Sequence, residues 1–214
     1  MDDFHEHLAR TALARIGRFG FAPAGGYAVQ AHGFLERLSE DIDLFTTVDA
    51  EEHFDAAVAE AIGAYESVGL NVVIAIQQPG FARLVVTDPA GARSSKVELG
   101  VDWRAHPPAT LDVGPVLHQD DAVANKVTAL YSRAQTRDYI DVDAALTSGR
   151  YTGPELLALA LEHDPGFEPK LFANALHAVR RLPAAEFAAY GLDEQATADL
   201  TSRLTTWAIT ITDP

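Results

Sequence analysis

The chain has 214 residues, with 31 acidic against 16 basic side chains, a formal charge of −15. At 48% hydrophobic and 22% charged it can bury a sizeable core, which excludes the disordered and collagen-like classes, and its lack of cysteine excludes disulfides, thiol nucleophiles and Cys-type zinc sites. The charge speaks against nucleic-acid binding by broad phosphate neutralisation, while the missing apolar run of about 18 residues and the acidic start MDDFHEHLAR speak against a membrane span or a secretory leader. A globular cytoplasmic protein without membrane association is expected.

Residues 2–18 read as a helix, with Phe4, Leu8, Ala12 and Ile16 recurring at helical steps. The apolar run Phe21-Ala22-Pro23-Ala24 ends in Gly25-Gly26, and a helix over Tyr27–Phe34 is expected after it. Ser39–Thr46 alternates as a strand, 50–67 is helical, and Leu70–Gln77, Phe81–Thr87 and Arg93–Val101 are three further strands joined by Pro-Gly and Asp-Pro-Ala-Gly loops. His106-Pro107-Pro108 marks the expected boundary. Beyond it the strand signal largely disappears, and Asp120–Arg133, Arg137–Leu146, Pro154–His163, Pro169–Arg181 and Asp193–Thr206 read as helices. The pattern predicts an α+β architecture. An α+β core over 1–107 precedes an all-helical domain over 108–214.

Candidate chemistry sits on two of the strands. In Ser39-Glu40-Asp41-Ile42-Asp43-Leu44, period-two alternation puts Asp41 and Asp43 on one face and Ile42 and Leu44 on the other. Alone, this reads as a half-buried strand with a polar outer face that needs no function. In Lys96-Val97-Glu98-Leu99, Lys96 and Glu98 share a face, and Glu98 is either an ordinary strand residue paired with Lys96 or a third carboxylate. If both strands lie in one sheet, Asp41, Asp43 and Glu98 converge as hard oxygen ligands of the kind Mg²⁺ takes together with substrate phosphates. Two such ions roughly 3.5–4 Å apart serve phosphoryl displacement. Gly25-Gly26, at the opening of a helix, would let a backbone approach a phosphate, or would simply make a turn.

Taken together, Gly25-Gly26-Tyr27-Ala28, Arg37-x-Ser39-x-Asp41-x-Asp43 and Lys96-x-Glu98-Leu99 resemble the AbiEii/AbiGii nucleotidyltransferase toxins of the DNA polymerase β-like superfamily. Asp120 with Lys126, then Arg133 and Arg137-Asp138-Tyr139-Ile140-Asp141, look like the family's later motifs. The resemblance implies that the core's β-sheet is mixed and flanked by helices. It also implies transfer of a nucleoside monophosphate from an NTP, with release of pyrophosphate, by a two-metal mechanism using Mg²⁺ or Mn²⁺. Asp41, Asp43 and Glu98 would hold the metals. Gly25, Gly26, Arg37, Ser39 and Lys126 would bind the nucleotide, and Lys126 and Asp138 would complete the catalytic set. The implied acceptor is the 3′ end of tRNA, which would block translation, and a cognate antitoxin is an implied partner. Gly-Gly stands where the family often has Gly-Ser, and Glu98 where Asp is commoner.

On spacing alone, Lys126 and Arg133 lie two turns apart on one helix face beside the stripe Val123, Val127 and Leu130, a face that meets a triphosphate or is merely solvated. Asp138 and Asp141 share the next helix's face, where Arg133 and Arg137 are natural salt-bridge partners. The competing functions are nucleotidyl transfer to a small molecule or protein, which the acidic surface favours, and a non-catalytic module that binds nucleotide or a partner.

Overall fold

The structure is a computed structural model that describes residues 3–35 and 39–213. The chain divides into two compact units, one within residues 1–32 and 36–119, the other within 33–35 and 120–214. The first unit therefore runs past His106-Pro107-Pro108 and takes in the following residues as far as Gln119.

In the first unit, α1 (Asp3–Ile16) precedes β1 (Ala22–Pro23), α2 (Gly25–Ala31), β2 (Asp41–Thr46), α3 (Phe54–Ser67), β3 (Asn71–Gln78), β4 (Phe81–Thr87), β5 (Ser94–Val101) and the hairpin β6 (Ala109–Leu111) and β7 (Gly114–Val116). A five-stranded sheet runs in the order β1-β2-β5-β4-β3. β2 pairs parallel with β5 and every other neighbour is antiparallel, so the sheet is mixed, as the family resemblance implied. Alternation also decides its faces. Ile42, Leu44, Ala82, Leu84, Val86, Val97 and Leu99 are buried together with Leu8, Ala12 and Ile16 of α1 and Ala57, Val58, Ala61 and Tyr65 of α3. Each large aliphatic side chain so buried stabilises the fold by about 1.5–3 kcal/mol.

Two turns secure the antiparallel half. Gly80 takes φ 69° between β3 and β4, a conformation that Cβ-bearing residues avoid. Asp88 ties the β4–β5 loop, accepting from the Ala92 N–H (2.9 Å) and from Arg93 Nε (3.2 Å). His5 is buried, its ring bonded through Nδ1 to the Tyr27 hydroxyl and through Nε2 to Ser95 Oγ (2.7 Å). It is a satisfied core histidine.

The second unit is helical, with α4 (Gln119–Arg133), α5 (Thr136–Thr147), α6 (Gly153–His163), α7 (Pro169–His177), α8 (Ala184–Ala188) and α9 (Glu194–Thr212). Local signals set the starts. Thr152 and Glu155 form a capping box ahead of α6, Pro169 opens α7, and the Asp193 carboxylate accepts from the Ala196 N–H (2.8 Å) at the start of α9. Three expectations needed correction. The predicted helix over Tyr27–Phe34 starts instead at Gly25 and stops at Ala31. The one over Pro169–Arg181 ends at His177 and tightens into a 3₁₀ turn over Ala178–Arg181, because Leu182 is held extended before Pro183. The strand signal does not vanish after residue 108, since β6 and β7 pair there, too short to show a period.

Tyr139 anchors α5 in the core of this unit, its hydroxyl donating to the Ala175 carbonyl (2.8 Å). Burial, reinforced by the Asp138 charge, raises its pKa to about 12. An unfolded tyrosine titrates near 10. The neutral phenol therefore contributes its full stability below pH ~10, and that contribution drains away as the pH climbs toward about 12. Thermal melts from pH 9 to 12 should fall less steeply for Tyr139→Phe than for the unsubstituted protein; equal slopes would contradict the assignment.

Candidate active site

The parallel register of β2 and β5 places Asp41 opposite Lys96 and Asp43 opposite Glu98. Directly paired residues of neighbouring strands point to the same side, so these four stand on the face opposite the buried Ile42, Leu44, Val97 and Leu99. β4 extends the rows, with Arg83 opposite Glu98, Val85 opposite Lys96 and Phe81 opposite Gly100. Across the middle of the sheet this gives Asp43, Glu98 and Arg83 in succession. Glu98 is partly buried, and its Oε1 accepts from Arg83 Nε (2.8 Å) and lies 2.7 Å from the same guanidinium's terminal nitrogen. The sequence named Lys96 as Glu98's structural partner; the partner is Arg83.

Gly25 closes on this row from the side. It has φ 55°, and a Cβ there would stand 1.7 Å from Asp43 Oδ2 and 2.5 Å from its Cγ. Backbone pairing fixes the approach, because the Ala24 N–H donates to the Asp43 carbonyl (2.9 Å). Gly25 and Gly26 form the first turn of α2, so the glycine pair, Asp41, Asp43 and Glu98 all belong to the first unit. A glycine also shapes the next row: a Cβ on Gly100 would come within 3.0 Å of the Phe45 ring, which occupies that space. Asp41 is 8% exposed and Ser39, just before β2, is 9% exposed. Arg37 lies outside the described residues.

Burying carboxylates side by side is unfavourable unless cations offset them. Arg83 supplies one such cation to Glu98. The missing Cβ of Gly25 lets the Asp43 carboxylate sit in the row beside it, and the set Asp41, Asp43 and Glu98, all hard oxygen donors, fits a divalent ion of the Mg²⁺ or Mn²⁺ type.

Lys126 and Asp138 lie in the second unit, each in an arrangement of its own. Lys126 is buried with Val123, Val127 and Leu130, and its Nζ sits 2.9 Å from Asp141 Oδ2, with the carboxylate side chain 1% exposed. This corrects the solvated helix face: Lys126 is buried and ion-paired, whereas the Arg133 side chain is 44% exposed. The signal was present, because position 126 is three residues past Val123 and four before Leu130, within the apolar stripe. Asp138 is fully buried and caps α5, accepting from the Gln135 N–H (3.0 Å) and from Arg133 through Nε (3.0 Å) and a terminal nitrogen (2.8 Å). Its Arg133 partner is as expected, while Asp141 pairs with Lys126 as well as sharing the helix.

Comparison with known proteins gives the same picture. Among curated protein sequences there is no match. Three solved structures share the fold at low identity. A protein from H. pylori described as a candidate nucleotidyltransferase is 16% identical with TM-score 0.61, the match covering 99% of this chain and 96% of that one. JHP933 from Helicobacter pylori is 18% identical with TM-score 0.56, over 97% and 90%. MenT4, a nucleotidyltransferase toxin from Mycobacterium tuberculosis H37Rv, is 16% identical with TM-score 0.58, over 99% and 84%. No helix among the described residues is long and apolar enough to cross a membrane. The family model for the nucleotidyl transferase AbiEii toxin of type IV toxin–antitoxin systems matches residues 20–207, a span that takes in the glycine pair, the paired carboxylates and most of the helical unit, and the chain belongs to that family.

Proposed function

We propose that this nucleotidyltransferase moves a nucleoside monophosphate from an NTP to the 3′ end of tRNA, acting as a toxin in the cytoplasm under the restraint of a cognate antitoxin. The observation that carries the reading is the row Asp43–Glu98, set by strand register, with Gly25 held against Asp43. In the reaction the acceptor hydroxyl oxygen bonds to the α-phosphorus, the bond from that phosphorus to the bridging oxygen of the β-phosphate breaks, and pyrophosphate leaves with that oxygen. The hydroxyl proton passes to a carboxylate oxygen or to solvent. Divalent ions, when bound by Asp41, Asp43 and Glu98, neutralise the triphosphate and lower the hydroxyl pKa. Gly25, whose missing side chain leaves room for the Asp43 carboxylate, and Gly26 offer the triphosphate backbone N–H groups. Arg37 and Ser39 contact the phosphates, and Arg83 orients Glu98. Lys126 and Asp138 belong to the same proposed set, beside the structural roles described above.

The charge of −15 favours a second reading, in which the acceptor is a small molecule or a protein rather than RNA. One experiment separates the two. The purified protein is incubated with total tRNA, Mg²⁺ and each α-³²P-labelled NTP in turn, alongside Asp43→Asn. Label on tRNA from the unsubstituted protein, falling by about a thousandfold in the variant, is the expected result. Label on protein bands instead would move the acceptor to the second reading, and loss of all transfer with NTP binding retained would leave a non-catalytic binding module.

A further inference from the structure

The strand farthest from the carboxylates is the most exposed part of the sheet. β3 is an edge, paired on one side with β4 and, among the described residues, with no other strand of the sheet beyond it. Val73 is 63% exposed, Ile74 48% and Ile76 39%, and Val72 is the only residue of the strand that is even partly buried. An antiparallel edge directs alternate N–H and C=O groups outward, ready to bond another strand. Natural edges are normally blunted by lysine, proline or inward charges. β3 has none of these, and residues 67–82 include no charged side chain. Its one blunting device is a bulge between Ile74 and Ile76, which leaves Asn71–Ile74 as the regular stretch.

We infer that β3 is an interface at which a second copy of this chain pairs antiparallel, edge to edge, across a two-fold axis. Two arguments select a second copy over other occupants. An antiparallel strand pair is itself two-fold symmetric, so one edge complements itself without any other partner surface. Two molecules of charge −15 repel wherever acidic faces meet, and a charge-free strand is where they can approach. Charges on the flanks include Asp55 of α3, which accepts from Gln77 Nε2 (3.4 Å), Asp88, which follows the register partner of Asn71, and Arg83, register partner of Ile76 and already engaged by Glu98. Val73 lies beside Val85 on the face that carries the carboxylates, so pairing also covers aliphatic surface on that face.

The test is sedimentation equilibrium of the full chain over a wide concentration range at low and high salt, together with Val73→Lys. Val73 is exposed enough for lysine to be accommodated in the monomer, and circular dichroism checks that it is. The expected result is a dimer that tightens with salt, as screening relieves the repulsion, and a dissociation constant raised by roughly tenfold or more in Val73→Lys. Amide hydrogen exchange over residues 71–78 gives a readout that needs no substitution: protection should rise with protein concentration. A monomer under all conditions, or a dimer that survives Val73→Lys with no concentration-dependent protection of β3, would overturn the inference. Neither readout depends on turnover, so the interface can fail while the proposed activity stands, and the reverse.

Discussion

Gly25→Ala is expected to remove nucleotidyl transfer while leaving the rest of the molecule folded. The added methyl would lie 1.7 Å from Asp43 Oδ2, far inside van der Waals contact, on a residue already at φ 55°. Asp43 is on β2 and its own backbone carbonyl accepts from Ala24, so neither partner can shift without the other's strand or helix following. The cheapest escape is rotation of the Asp43 carboxylate out of its row with Glu98. Displacements of about 1 Å at reacting groups cost about a hundredfold in rate, and a lost carboxylate ligand costs more. The left-handed conformation adds about 1–2 kcal/mol of destabilisation, small beside the stability of a typical domain. Steady-state turnover of labelled NTP against thermal melting separates the two effects. A variant that melts a few degrees lower yet turns over at the original rate would show that Asp43 does not act from the position described.

The second large effect concerns stability. Lys126→Ala or Asp141→Ala alone should each destabilise the helical unit by about 3–5 kcal/mol, because either change leaves its partner charged and buried. Replacing both, as in Lys126→Met with Asp141→Leu, should recover most of that loss, since apolar residues of similar volume often substitute for a buried pair at little cost. Urea denaturation of the four proteins gives the comparison. Single variants within 1 kcal/mol of the parent would mean that the pair is not desolvated as the geometry has it. The double variant also isolates chemistry from folding: if it is stable but inactive, Lys126 acts on the nucleotide as proposed, and if it is stable and active, its role is confined to the core.

Much of this arrangement was legible in the sequence, and the rest failed for identifiable reasons. Alternation is a local signal, so the faces of β2 and β5 could be read directly, while the mixed sheet came from the family resemblance. Pairing is not local. Glu98 and Lys96 share a face but sit two residues apart on one strand, about 6.6 Å along it, whereas Arg83 stands directly across on β4, within the shorter reach of a cross-strand pair. Nothing in the order of residues 81–101 says which of the two cations wins until the hairpin register is known. For Lys126 the periodic signal was present, but a lysine at helical spacing within an apolar stripe reads as solvent-facing unless its counter-ion is known, and Asp141 belongs to a different helix. β6, β7 and α8, at three, three and five residues, are too short for any period to emerge from composition.

The parallel pairing of β2 with β5 has a consequence for the order of events in folding. Gly25 and Asp43 are close along the chain, and β3, β4 and β5 follow one another through tight loops, so these pieces can form early from nearby residues. Asp43 and Glu98 are separated by about 55 residues, and their registration must close the largest loop in the sheet, a step whose entropy cost falls before any contact rewards it. On a ribosome releasing the chain from its N-terminus, the Asp43–Glu98 pair cannot exist until β5 has emerged and threaded beside β2. The acidic row is expected to be among the last parts of the sheet to acquire its geometry, so that on the proposed activity a partly made molecule would lack the site that acts on tRNA.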